Sequence, residues 1–143
     1  MPGTVAIPQD IKDALRKFRF AKRTSGSGHA AIVIKINKKD LVMQIDEQFD
    51  STTLEELLEE LPENSPRYVV ISYELKFSDG RISYPLILIN WAPESSEIGM
   101  MTLHASALQD FQNAVDVQKT IEVREDPEEK MTKAYFDKEL QAR

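Results

Sequence analysis

Apolar residues recur at helical spacing in four stretches of the chain and crowd together in five shorter ones, and their alternation sets the expected order of elements. Over residues 9–20, Ile11, Ala14, Leu15 and Phe18 fall on one stripe and Pro8 suits a first turn, which predicts an amphipathic helix. The segment Thr24-Ser25-Gly26-Ser27-Gly28 breaks it. Residues 30–36 and 41–45 then read as two strands joined by the polar turn Asn37-Lys38-Lys39-Asp40. Ser51, Thr52 and Thr53 supply N-caps, Glu55 and Glu56 complete possible capping boxes, and Leu54, Leu57, Leu58 and Leu61 form one apolar face until Pro62 stops a short second helix.

Residues 68–75 and 82–91 are longer strand-like runs, and the Asp79-Gly80 pair between them is the strongest short hairpin signal in the chain. Their consecutive apolar residues, Val69-Val70-Ile71 and Leu86-Ile87-Leu88-Ile89, predict central strands covered by helices on both faces. Pro85 cannot donate to a ladder, so a bulge or irregular strand start is expected there. A third helix over 98–115, a short strand over 120–123 and a last helix opened by Asp126-Pro127 and reaching Leu140 complete the order. The third helix permits a parallel crossover between the strands on either side of it. The pattern describes an α+β chain of three layers, α/β/α, with a sheet between helices.

Composition narrows the function more than the fold. With 143 residues and 41% hydrophobic content the chain suits one domain, 1–143, with a real core. It has no cysteine, hence no disulfide framework or thiolate, which fits a reducing, cytosolic setting. The start of the chain lacks a basic and apolar leader, and the apolar run 86–89 is far too short to span a bilayer, so a soluble, unexported protein with no membrane partner is expected. A net charge of -6 argues against nucleic acid.

No residue pattern promises chemistry. Gly26-x-Gly28 follows a helix and precedes a strand, the reverse of a phosphate loop. His29 and His104 belong to no spaced metal motif, and His104 falls on the core side of its helix; structural roles are expected for both, and no metal or cofactor. Glu55, Glu56, Glu59 and Glu60 read as a solvated helix face, and Trp91 and Met101 as core. The chain reads as a binding protein and not an enzyme.

Two surfaces stand out instead. On the third helix Met100, Leu103, His104, Ala107, Leu108, Phe111, Ala114 and Val115 gather on the core face at about 100° per residue. The opposite face, Thr102, Ala105, Ser106, Gln109 and Asn113, is small and uncharged, either a surface another protein approaches closely or a neutral solvent face. On the first helix Lys12, Arg16 and Arg19 share a stripe, while Lys17 can pair with Asp13. Spacing alone favours solubility and helix-dipole placement. Lys22 and Arg23 nevertheless extend this into the one dense basic region of an acidic chain, able to meet an acidic partner.

Four segments carry a resemblance: Leu15-Arg16-Lys17-Phe18-Arg19-Phe20, Leu61-Pro62-Glu63-Asn64-Ser65-Pro66-Arg67-Tyr68-Val69-Val70, Asp79-Gly80-Arg81-Ile82-Ser83-Tyr84-Pro85-Leu86, and Met100-Met101. Together they resemble the actin-depolymerising factor homology fold, and within it the glia maturation factor branch, over nearly the whole chain; Trp91-Ala92-Pro93 also resembles cofilin. The resemblance implies a central mixed sheet of five to six strands between two pairs of helices. It further implies a monomeric cytoplasmic regulator at actin-rich cortical structures that binds the actin-related protein 2/3 complex, with actin at the branch junction as a further contact. Such a regulator inhibits nucleation and promotes debranching.

By the same resemblance one partner surface combines the N-terminal Thr4 and Val5, the basic Lys17 and Arg19, and Met101, Thr102, Ala105, Ser106 and Gln109 of the third helix. The other uses the hairpin residues Lys76, Asp79 and Arg81 with Lys138 near the C-terminus. Cofilin and animal glia maturation factors carry a basic residue in the third helix where this chain has Leu108, with Asp110 nearby, so the helix would act mainly by fit. Cofilins have a regulatory serine near the N-terminus, where this chain offers Thr4. The alternative, a cofilin-like actin-binding and severing protein, would want more basic charge on the hairpin, where Glu74 and Asp79 offset Lys76 and Arg81.

Overall fold

The computed structural model describes residues 5–23, 26 and 28–140. Helix α1 (Gln9–Phe20) leads into strands β1 (His29–Asn37) and β2 (Val42–Thr52), then α2 (Leu54–Glu60) and β3 (Arg67–Ser72). Two short strands, β4 (Leu75–Lys76) and β5 (Ile82–Ser83), precede β6 (Leu86–Trp91), α3 (Ile98–Val115), β7 (Lys119–Val123), α4 (Pro127–Lys130) and α5 (Lys133–Glu139).

Five strands form one mixed sheet in the order β2-β1-β3-β6-β7. Every pairing is antiparallel except β6 with β7, which α3 joins by a parallel crossover. The consecutive apolar runs mean what they should, because alternate residues enter two separate cores. Ile32 and Ile34 of β1, Tyr68 and Val70 of β3 and Leu88 of β6 pack with Leu15 and Phe18 of α1 and with Phe111 of α3. Val33, Val69, Ile87 and Ile89 face the other way, onto Leu54 and Leu57 of α2 and Phe136 of α5. The sheet thus lies between α1 and α3 on one side and α2 and α5 on the other.

The structure corrects three expectations. The strand expected at 41–45 runs to Thr52: its middle residues are polar because β2 is an edge strand whose register with β1 is held by the backbone. The expected long hairpin is interrupted, leaving β4 and β5 as a separate two-stranded ribbon below the Asp79-Gly80 turn. At the break the Glu74 N–H donates to His29 Nδ1 at 2.9 Å, while Tyr73 N–H reaches the carbonyl of Pro85, itself without a donor. The last helix is two helices: Thr132 turns extended, and its Oγ1 accepts from Tyr135 N–H to cap α5 afresh. Met131 between them is buried and anchors the corner.

Candidate functional site

The outer face of α3 is built as the spacing suggests, and three of its side chains donate hydrogen bonds within the helix. Thr102, Ala105, Ser106, Gln109 and Asn113 are all exposed. Thr102 Oγ1 donates to the Ile98 carbonyl at 2.9 Å, Ser106 Oγ to the Leu103 carbonyl at 2.9 Å, and Gln109 Nε2 to Asn113 Oδ1 at 3.1 Å. Covering such a face strips few unsatisfied groups of water, so close approach costs little desolvation. At its head stands Ile98, 83% exposed, four residues before Thr102 on the same stripe. Sequence reading placed Ile98 only as the helix start; its signal was an apolar side chain in register with an otherwise neutral face.

Beside this face a groove of about 780 Å³ opens between α3 and the ends of β6 and β7, with Met101 and Leu108, both half-buried, in its wall. Leu108 therefore stands where the stripe meets the core. Ala114, expected inside, is exposed, because at the C-terminal end of α3 the core contact narrows to Phe111 and Val115.

Below His104 the α3 side of the core is polar but paired. Its Nε2 meets Asn90 Oδ1 at 2.5 Å, its ring stacks on Tyr68 at 4.0 Å, and Tyr68 Oη donates to its main-chain carbonyl at 2.6 Å. Burial lowers the His104 pKa to about 4, with the Arg67 guanidinium adding to the effect. Burial likewise lowers the pKa of His29, which stacks on Tyr73 at 4.3 Å. Both histidines have the structural roles expected of them, and Trp91 is core, its indole donating to the Pro62 carbonyl at 2.7 Å.

The basic stripe of α1 lies against α3. Lys12, Arg16 and Arg19 line a cavity of about 730 Å³ between the two helices, together with Asp110 and the 73% exposed Phe20, a second apolar residue that periodicity did not single out as surface. Arg19 Nη1 pairs with Asp116 Oδ2 at 3.0 Å, tying the end of α1 to the C-cap of α3. Asp13 accepts from Gln9 at 3.0 Å, and not from Lys17. Among the described residues Lys17 makes no ion pair and is free to meet a partner.

Of the N-terminal pair, Thr4 lies outside the described residues and Val5 is not surface. Val5 is 6% exposed and sits in the core, because the bridge between Ala6 and Val42 turns it inward beside β2. Of the expected set the structure places Met101, Thr102, Ala105, Ser106 and Gln109 on α3 and joins Arg19 to its C-terminal end through Asp116, whereas Lys17 lies on another side of α1, in a hollow that it lines with Lys22, Arg23 and Asp50.

The second set is looser. Lys76, Asp79 and Arg81 are exposed on the ribbon, but Arg81 Nε pairs with Asp79 Oδ2 at 2.7 Å and its guanidinium lies over Phe77. The Arg81 main-chain N–H and then its side chain hold the Asp79 carboxyl below its ordinary range. Glu74 makes no ion pair with Lys76 or Arg81: it is 7% exposed, and its carboxylate accepts from Gly26 N–H and Tyr84 Oη. Lys138 is exposed on α5 beside Asp137, which accepts from Tyr73 Oη at 2.7 Å at the root of the ribbon. Among the described residues no hydrogen bond or ion pair joins Lys138 to the ribbon itself.

Among the described residues no three His, Asp or Glu are placed to hold a metal, and no helix is long and apolar enough to cross a membrane. Residues 4–141 match the family model described as cofilin/tropomyosin-type actin-binding protein. The chain is similar to mouse glia maturation factor beta, 35% identical over 118 residues that cover 82% of this chain and 81% of the relative. It is similar to the solution structure of glia maturation factor from Caenorhabditis elegans, with a TM-score of 0.73, 34% identity and 88% of each chain covered. The crystal structure of Streptomyces griseoflavus cofilin superposes with a TM-score of 0.78 over 97% of this chain and 99% of that one, at 19% identity, a likeness of fold.

Proposed function

This chain belongs to the cofilin/tropomyosin-type family of actin-binding proteins and is similar to glia maturation factor, and from that premise we propose that it regulates branched actin by binding the actin-related protein 2/3 complex. In this reading it inhibits nucleation by the complex and promotes debranching, as a cytoplasmic monomer at the actin-rich cortex. The observation that carries it is the outer face of α3: small, uncharged and internally hydrogen-bonded, with Ile98 at its head and no Lys or Arg anywhere along the helix.

The physical sequence follows from that face. Lys17 and the neighbouring cations of α1 steer an acidic chain's one basic region towards acidic protein surface. The stripe Ile98, Thr102, Ala105 and Gln109 then enters a groove on an actin-related subunit by fit. A groove so filled is closed to the first subunit of a daughter filament, so one act of binding both prevents nucleation and weakens an existing branch. The ribbon residues Lys76 and Arg81, with Lys138, offer a second contact to the complex or to actin at the branch junction.

The test is to add the protein to pre-formed branched networks and follow single filaments by fluorescence microscopy, scoring branch loss and filament breakage separately. Branch loss without an increase in breakage is expected. Breakage of unbranched filaments would instead support the alternative, a cofilin-like severing protein.

A further inference from the structure

On the opposite side of the sheet from α1 and α3, a second groove of about 680 Å³ runs between α2, the ends of β6 and β7, and the start of α4. Its floor is apolar: Leu61, Trp91 and Val123 close the bottom, with the half-buried Leu58 and Pro127 on the walls. Cavities of about 300–1,000 Å³ accommodate a few side chains of a bound segment. Four exposed carboxylates, Glu59, Glu63, Glu94 and Glu128, stand around it.

These four come from α2, two separate loops and α4, so a charged face on one helix does not account for them. Among the described residues none of the four side chains has an ion-pair or hydrogen-bond partner. The single cation in the lining, Arg124, pairs with Glu122 at 3.7 Å. An apolar floor inside an unneutralised acidic rim is complementary to one chemistry, a short basic segment that also carries an apolar anchor.

We propose that this groove is a docking site for a Lys/Arg-rich peptide segment of another protein, inserted by a leucine or aromatic side chain and held by the glutamate rim. It uses no residue of α3, and only Glu94 and Arg124 of its lining also border the groove beside that helix, so Glu59, Glu63 and Glu128 belong to this site alone. The carboxylates supply attraction and orientation, and the floor supplies the area that distinguishes a segment with an anchor from a merely cationic one.

The probe is a fluorescein-labelled synthetic peptide of about twelve residues alternating Lys and Arg with Leu and Trp, titrated with the full chain by fluorescence anisotropy. The control is an oligolysine of equal charge. We expect saturable one-to-one binding of the first peptide, at least about tenfold tighter than oligolysine, and a loss of at least about tenfold in the triple variant Glu59→Lys, Glu94→Lys, Glu128→Lys. Binding should be unchanged in Ala105→Glu/Ser106→Glu, which separates this site from the α3 face. Glu128→Lys alone serves if the triple variant melts early by circular dichroism. Equal binding of oligolysine, or undiminished binding to the charge-reversed variants, overturns the proposal. So does concentration-dependent self-association on sedimentation that the same variants abolish, since the occupant is then the basic face of a second copy.

Discussion

His104 keeps a neutral imidazole inside the core between Asn90 and Tyr68, and that fixes the direction of a pH effect. Its pKa falls from 6.5 to about 4 on folding, so between those values the unfolded chain binds a proton that the folded chain refuses. Stability therefore falls as pH drops through that window, by up to roughly 3 kcal/mol for this residue. Urea denaturation from pH 7 to pH 4.5 should show a steeper loss in the wild type than in His104→Gln; parallel curves would show that His104 does not carry the effect. Helical spacing alone assigned His104 to the core. The same spacing could not reveal Asn90, fourteen residues away on β6, nor that Ala114 clears the sheet, since burial at a helix end depends on where the neighbouring strands stop.

At the scale of elements, α1 and α3 have the limits expected of them, because apolar periodicity was sustained over each whole helix. The last helix divides where sequence shows no break, for the complementary reason: local spacing is nearly continuous across Met131, and only tertiary burial of that side chain shows the corner. Thr132 and Thr53 each accept from the main-chain N–H three residues on, so each starts a helix that the other side of the core depends on. Thr53→Ala should cost about 1 kcal/mol of unfolding free energy, typical of a lost N-cap, and Thr53→Asn should restore most of it. An alanine variant with an unchanged urea midpoint would mean that packing of Leu54 and Leu57 alone holds α2. The hairpin is not one element because Pro85 has no N–H to give and the Glu74 N–H donates to the His29 ring instead of across the strands, while the Glu74 side chain turns inward onto Tyr84 and onto Gly26, which lies far off in sequence.

Across the whole molecule the charges separate: cations gather where α1 meets α3, and unpaired carboxylates rim the groove behind the sheet. Reversing charge with Lys17→Glu and Arg19→Glu should leave melting nearly unchanged, since the Arg19 pair with Asp116 is exposed and such pairs contribute about 0–1 kcal/mol. Binding to the actin-related protein 2/3 complex should weaken and lose most of its salt dependence; unchanged binding at every ionic strength would reduce the patch to a solubility feature. The central claim is that α3 inserts its neutral face into a partner's groove, and the double variant Ala105→Glu/Ser106→Glu tests it most directly. Both residues are exposed, so stability should change by no more than about 0.5 kcal/mol at each site. A buried groove contact would instead meet new bulk and unpaired charge, with a penalty of several kcal/mol, on the order of 3–5. Thermal unfolding and the debranching rate of the same preparation are to be measured together. Normal melting with debranching lost is the predicted result, and normal melting with normal debranching would contradict the account.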